Sequence, residues 1–238
     1  MMALGKRLQD VYKDLGEEKR FYKLSEAIAG IKRYAKCKFD ESVDCALVLN
    51  VDMRKTDQHI RGVFQPPHGL GKQVRVLVFA SPDKEAEAKS SGADIVGGED
   101  LVDKILSEGK VDVDVCVATP DMMMHVGKLG RLLGSRGLLP NPKLGTVSND
   151  VARVVKEAKG GRVEYRADRA GVMRVALGKA SFAENALKEN IVEFIKTIVQ
   201  ARPSGVKGVL LKKVFVGSTM GPAFELDLKL LSEEGISC

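Results

Sequence analysis

Gly217-Ser-Thr-Met-Gly-Pro222 sets two hydroxyls and an unbranched thioether between glycines, and apolar stretches flank it at Val209 to Val216 and Ala223 to Leu228. Glycines let backbone amides come close to a partner, and hydroxyls donate to phosphate or ribose oxygens. A methionine offers an adaptable apolar contact that can lie against a base. The same residues also suit a plain turn joining two strands. The segment alone leaves both readings open.

Other candidate chemistry is thinner. His59, His68 and His125 are the natural acid–base groups, but none stands beside a Ser or Cys in a nucleophile motif. Surface or hinge packing suits all three. His68-Gly-Leu-Gly-Lys72 resembles a phosphate loop only superficially: Pro66 replaces the first glycine, Gln73 replaces the magnesium-binding hydroxyl, and the run precedes a strand. No dinucleotide fingerprint follows Val74 to Ala80 or Val113 to Thr119. Cysteines at 37, 45, 116 and 238 form no CxxC pair, so reduced thiols packed as small hydrophobes are expected, with neither metal nor cofactor. Met122, Met123 and Met124 read as core filling. The stretch 127–146 interleaves glycines and prolines with Lys128, Arg131, Arg136 and Lys143. A flat backbone with projecting cations could track a phosphate chain, and a solvated loop would look the same.

Composition narrows the class. The 238 residues are 44% hydrophobic and 29% charged, ordinary for a globular chain of one large or two modest domains. A net charge of +6 and a pI near 9.1 favour an anionic partner. Aromatics make up 5% with no Trp, which argues against a single-strand stacking platform. The start, Met-Met-Ala-Leu-Gly-Lys-Arg, has no apolar signal core and no run approaches a membrane span, so a cytoplasmic protein is expected.

Hydrophobic spacing predicts the elements that must position these groups. Leu8, Val11, Tyr12 and Leu15 give a short basic helix ended by Gly16; Leu24 to Ala35 gives a second, and Val43 to Val51 a strand. The polar run 52–62 fits a loop or an extended edge. Pro66 and Pro67 then break regular structure, and Gly69 follows them, which reads as a hinge. From Val74 to Ala158 the grammar is strand–helix alternation: Val74 to Ala80, a helix opened by Ser81-Pro82-Asp83, Asp94 to Val96, Glu99 to Ser107, and Val113 to Thr119. Thr119-Pro120-Asp121 opens another helix, and one over Val151 to Ala158 stops at Gly160-Gly161. Arg162 to Arg166 and Val172 to Leu177 flank hairpin-turn residues 167–171, Ser181 to Glu184 reads as a capping box, and Pro203–Gly205 ends the long helix that it opens. The expected fold is therefore α/β and α+β in two domains. A discontinuous α+β domain, 1–67 and 160–238, is interrupted by a parallel-sheet domain, 68–159, across hinges at Pro66, Pro67, Gly69, Gly160 and Gly161. A small-molecule α/β enzyme with the outer domain as lid is the competing class.

Three motifs converge on one family. Asp57-Gln-His-Ile-Arg-Gly62 followed by Pro67-His-Gly-Leu-Gly-Lys72, Leu133-Gly-Ser-Arg-Gly-Leu-Leu-Pro-Asn-Pro-Lys-Leu-Gly-Thr-Val147, and Ser218-Thr-Met-Gly-Pro222 closely resemble the L-one family of bacterial large-subunit ribosomal proteins. Lys38-Phe-Asp-Glu41 and Gly178-Lys-Ala-Ser-Phe182 are similar to it as well. Met53, Phe64-Gln65-Pro66, Ser135 and Ala223-Phe224 depart from its usual pattern. The resemblance implies a split β-α-β (ferredoxin-like) first domain with a Rossmann-like insertion, no enzyme activity, and a monomer off the ribosome. It implies binding to the mobile 23S-type rRNA stalk, help in releasing deacylated exit-site tRNA, and repression of its own operon through the mRNA. By motif, the RNA contacts carried over are Glu26, Lys38, Phe39, Ser42, Asp168, Gly171, Ser218, Thr219, Met220 and Gly221. Glu26 is expected to be buried, meeting a 2′-hydroxyl or orienting Thr219. Arg131, Arg136 and Lys143 would add a weaker phosphate contact.

Overall fold

The computed structural model describes residues 5–15, 21–206 and 208–233, apart from the side chains of Lys6, Lys143, Ser232 and Glu233. Gly16 and Cys238 therefore lie outside the described residues. The chain forms two compact units, Met1–Gly71 with Val163–Cys238, and Lys72–Arg162. The sequence pattern predicts these divisions at 67/68 and 159/160.

The first unit begins with helices α1 (Lys6–Leu15) and α2 (Leu24–Tyr34). Leu24, Ala27, Ile28, Ile31 and Tyr34 recur at helical spacing and are all buried, so one stripe of α2 faces the core. Strand β1 (Ser42–Leu49) alternates instead: Val43, Cys45, Leu47 and Leu49 point into the core. The polar run that follows resolves into a 3-10 turn at Thr56–Gln58 and a short strand, β2 (Arg61–Phe64).

In the second unit come β3 (Val76–Phe79), α3 (Pro82–Ser90), β4 (Ile95–Gly97), α4 (Glu99–Glu108), β5 (Val115–Ala118), α5 (Met123–Val126), α6 (Gly130–Ser135) and α7 (Val151–Lys159). The three strands form a parallel sheet ordered β4-β3-β5. Helices cover both of its faces. Val76 and Val78 pack with Val151, Val154 and Val155, while Leu77 and Phe79 pack with Val102, Ile105, Leu129 and Leu133. Double coverage is why β3 reads as an unbroken apolar run.

Two expectations fail here for physical reasons. Ser81 and Thr119 stand at helix N-caps but neither side chain makes a cap bond, and proline supplies the preset φ at both starts. Residues 127–135 are not a flat loop. A 3-10 turn at Gly127–Leu129 runs into α6, because Val126, Leu129 and Leu133 share one buried face at three- and four-residue spacing. Burial of that stripe overrides three helical glycines.

The chain then returns to the first unit with β6 (Val163–Arg166), β7 (Val172–Lys179), α8 (Glu184–Gln200), β8 (Leu211–Ser218), β9 (Ala223–Glu225) and α9 (Leu228–Glu233). The main sheet is ordered β7-β1-β8-β9. Since β1 is antiparallel to both β7 and β8, it splits the β7-α8-β8 crossover, the expected split β-α-β arrangement. Helices α2 and α8 pack together over the face of buried Leu47, Met173 and Val214. The proposed hairpin across 167–171 is not a ladder, because β6 pairs with β2 and β7 with β1. The capping box is also absent: Ala183 is the N-cap, and the Ser181 hydroxyl donates to Asp40 at 2.7 Å. The strand expected through Leu228 ends at Glu225, where α9 takes over.

The expected hinge residues are anchored on one side. Pro66 is buried, and Gly69 takes φ 67°. The fully buried Asn190 of α8 accepts from the His68 N–H at 3.1 Å and donates to the carbonyls of Gly69 at 3.2 Å and Leu177 at 2.8 Å. Pro67 is exposed, Gly160 ends α7, and Gly161 has φ 89°. Replacing Asn190 by Ala strands these backbone groups, and we expect a loss of about 2 kcal/mol in urea denaturation of the whole chain.

Candidate nucleic-acid interface

The turn between β8 and β9 is tight for reasons its residue types explain. Gly217 pairs with Ala223, and the Gly221 N–H donates to the Ser218 carbonyl at 3.1 Å. A Cβ on Gly221 would collide with the Ser218 hydroxyl, and one on Gly217 would come within 3.0 Å of the Pro222 carbonyl oxygen. Thr219 extends the sheet by one step beyond β8. Its N–H donates to the Ser42 carbonyl at 3.0 Å, and its hydroxyl oxygen accepts from the Ser42 N–H at 3.0 Å.

Under this turn lies a carboxylate that is 1% exposed, Glu41. Its Oε2 accepts from the Ser218 hydroxyl at 2.7 Å and from the Met220 N–H at 3.1 Å, and its Oε1 accepts from the Cys37 N–H at 3.3 Å. Burial pushes the carboxyl up, but the bonds from Ser218, Met220 and Cys37 together outweigh it and hold the group below the usual carboxylate range. Glu41 is thus ionised and committed to the Ser218 hydroxyl and Met220 N–H of the remote β8–β9 turn and to the Cys37 N–H of its own bend.

Around it the surface is basic and apolar together. Phe39 and Met220 are 55% and 50% exposed. Lys38 is exposed beside Phe39, and Lys179 donates to the Ser42 hydroxyl at 3.0 Å. Asp40 pins the segment from the other side by accepting from the Ser181 N–H and hydroxyl. Lys38, Phe39, Ser42, Ser218, Thr219, Met220 and Gly221 therefore converge at one end of β1. Reading the sequence alone missed Glu41, Lys179 and Arg7, whose guanidinium reaches the Met220 carbonyl oxygen. Glu41 stood inside a quoted motif, but only the β1–β8 register brings it under the turn.

The remaining expected residues lie elsewhere. Glu26 is exposed in the first turn of α2, so the expectation that it is buried is corrected; Glu41 is the carboxylate at the turn, and the backbone of Ser42 is what orients Thr219. Asp168 and Gly171 sit at the opposite end of β1, where Leu49 donates to the Gly171 carbonyl at 2.9 Å. Seven residue steps along β1 separate Ser42 from Leu49, roughly 24 Å at strand spacing. There Asp168 accepts from the N–H groups of Ala170 at 2.8 Å and Val172 at 2.9 Å, and Gly171 takes φ 74°. In the second unit Arg131 is exposed on α6. Arg136, expected to project, instead donates to the Val111 carbonyl at 2.6 Å. The Lys143 side chain lies outside the described residues.

The histidines face acceptors: His59 the Met53 carbonyl at 3.0 Å, His68 Glu189 at 2.5 Å, and His125 Glu99 at 3.1 Å. Burial raises the thiols of Cys45 and Cys116 to about 12, which leaves both as inert packing groups. Among the described residues, no group of three or more His, Cys, Asp or Glu could hold a metal ion. None of the described helices is long and apolar enough to cross a membrane.

A split β-α-β unit carrying an inserted parallel-sheet unit, with a tight hydroxyl turn set among exposed Lys, Phe and Met, defines a two-unit α/β protein. The chain belongs to the Ribosomal protein L1p/L10e family, whose pattern matches residues 31–222. It is 51% identical over 228 residues to the large ribosomal subunit protein uL1 of Fervidobacterium nodosum, covering 96% of this chain and 97% of that one. It is 50% identical over 228 residues to the protein of the same name from Thermosipho africanus, covering 96% and 98%. This is a family of structural ribosomal proteins rather than enzymes.

Two outcomes test the geometry of the turn. The folded Glu41 carboxyl ionises below its ordinary value of 4.5, so its stabilisation is complete above that pH and fades as pH falls through the lower folded value. Glu41→Gln should cost about 2 kcal/mol near neutrality, and the gap from wild type should close in acid, read by urea denaturation across the pH range. Gly221→Ala should displace the Ser218 hydroxyl from Glu41 and lower stability by about 1 kcal/mol, measured by thermal melting.

Proposed function

We propose that this chain is a constituent of the large ribosomal subunit, located on the cytoplasmic ribosome, and that it binds the rRNA of the mobile stalk through the Ser218–Gly221 turn. The observation that carries this reading is the ionised, buried Glu41 beneath that turn. It holds Ser218 and Met220 rigid while Thr219, Met220, Phe39 and Lys38 stay exposed. A-form RNA hides its bases in a deep groove, so a preformed shape that offers hydroxyls, an apolar edge and close backbone suits 2′-hydroxyls and unstacked bases. Asp168 and Gly171 form a second contact along the same domain, and Glu26 a third, on α2. Arg131 adds a phosphate contact from the inserted unit, with Lys143 further along the same basic stretch, whereas Arg136 serves mainly to fix its own loop.

The same site would recognise a similar structure in the mRNA of its own operon, and the stalk so formed would assist release of exit-site tRNA. Off the ribosome the chain acts as a monomer. The chain leaves the first unit after Gly71 and returns at Val163. Since Asn190 holds the stretch around Gly69, rotation of the inserted unit begins at Lys72 and at Gly160-Gly161.

The test is affinity for a stalk rRNA fragment and for a plain RNA duplex of equal length, measured against salt. Wild type should prefer the stalk, and the preference should persist at high salt. Thr219→Ala should cost about tenfold or more on the stalk and leave duplex binding unchanged. Equal and steeply salt-dependent binding to both RNAs would show that net charge alone acts.

A further inference from the structure

Helix α1 contributes one residue to the turn from more than two hundred positions away. Arg7 donates through Nη2 to the carbonyl oxygen of Met220 and through Nη1 to Cys37 Sγ at 2.9 Å. Cys37 in turn donates its N–H to Glu41 at 3.3 Å, and Glu41 accepts the Met220 N–H at 3.1 Å. These four residues close a ring drawn from three separate stretches: α1, the bend after α2, and the β8–β9 turn. Both polar groups of the Met220 main chain are therefore held, the N–H by an anion and the carbonyl by a cation. Helix α1 is itself seated on the core by Val11 and Leu15, so Arg7 has a fixed base.

We propose that Arg7 is a positioning residue for RNA recognition, and that α1 acts as a brace which presets the Met220 backbone. This rests on the turn being the RNA site. The Met220 side chain is half exposed, and the backbone sets the direction in which its Cβ leaves the turn and so the region its thioether can reach. Glu41 fixes the entry to that residue and Arg7 its exit. Without Arg7 the Met220–Gly221 peptide keeps its Gly221 N–H bond to the Ser218 carbonyl but loses the hold on its carbonyl, so it can tilt, and the RNA must pay for ordering it, which lowers specific affinity without removing a phosphate contact.

The experiment uses the full chain with Arg7→Ala, Arg7→Lys, Glu41→Gln and the Arg7→Ala/Glu41→Gln double variant. Each is titrated with the stalk rRNA fragment and with the plain duplex over a range of salt. Arg7→Ala should weaken stalk binding about fivefold, leave duplex binding and the salt slope unchanged, and add little in the Glu41→Gln background. Arg7→Lys should recover part of the loss, since an ammonium can still reach one acceptor. A fall in the salt slope of about 0.7 to 0.9 would show that Arg7 neutralises a phosphate itself, and would overturn the brace. Full additivity with Glu41→Gln would overturn it too. If Thr219→Ala weakens stalk binding while Arg7→Ala does not, the brace falls and the site stands. If neither matters, the site falls as well.

Discussion

Everything at the β1 end of the first unit depends on one buried anion. A carboxylate withdrawn from water is tolerated only if enough donors meet it, and Glu41 meets the Ser218 hydroxyl and the N–H groups of Met220 and Cys37. Two of those donors sit in one turn, 177 and 179 positions away in sequence, and the third lies 4 positions away. The charge therefore converts a chain-distant contact into a strong constraint: the turn cannot move without leaving an anion unsatisfied. Gly217 and Gly221 are the corollary, because only residues without a Cβ let the backbone close this tightly around Ser218.

The central place of β1 carries that constraint into the fold. It is hydrogen-bonded on both sides, to β7 and to β8, and its buried face supplies Val43, Cys45, Leu47 and Leu49 to the core under α2 and α8. Its partners both come from the chain after the insertion. The first unit is thus completed only when residues beyond 162 return to pair with it, while the inserted unit has its own sheet and two apolar layers. Long-range pairing of this kind costs loop-closure entropy, which the fully buried ladder residues offset.

Much of this was legible in the chain. Val74 to Ala80 announced a strand covered on both faces, and the stripe of α2 announced itself by spacing, because burial leaves a periodic record. Polar contacts across long sequence separations leave none. Glu41 reads like any acid in a polar loop, and Glu26, the carboxylate that the motif points to, lies exposed on α2. Asn190 occupied an unremarkable position on a helix, yet it fixes the stretch around Gly69. Ser181 fits a capping box in sequence, but the helix starts two residues later behind Ala183, and the Ser181 hydroxyl donates to Asp40 at 2.7 Å. Glycines at 127, 130 and 134 suggest a loop by local propensity, and the burial of Leu129 and Leu133 overrides it.

Net charge is a poor guide to where an anion would sit, and the ion pairs show why. Arg75 grips Asp112 at 2.5 Å, Lys72 meets Asp114 at 2.6 Å, Arg61 meets Glu164 at 2.7 Å and Lys213 meets Glu225 at 2.9 Å. Arg136, within the most basic-looking loop, is turned to a backbone carbonyl. Cations already paired within the protein add little to the attraction of a phosphate chain, since the partner anion cancels most of their field at a distance. What distinguishes the β1 end is therefore not the number of its positive charges but their company. Lys38 and Lys179 stand beside exposed Phe39 and Met220 on a backbone that Glu41 keeps from adjusting. Such rigidity favours a partner whose shape fits and penalises one that offers charge alone, because a flexible turn could follow any phosphate chain while a fixed one cannot.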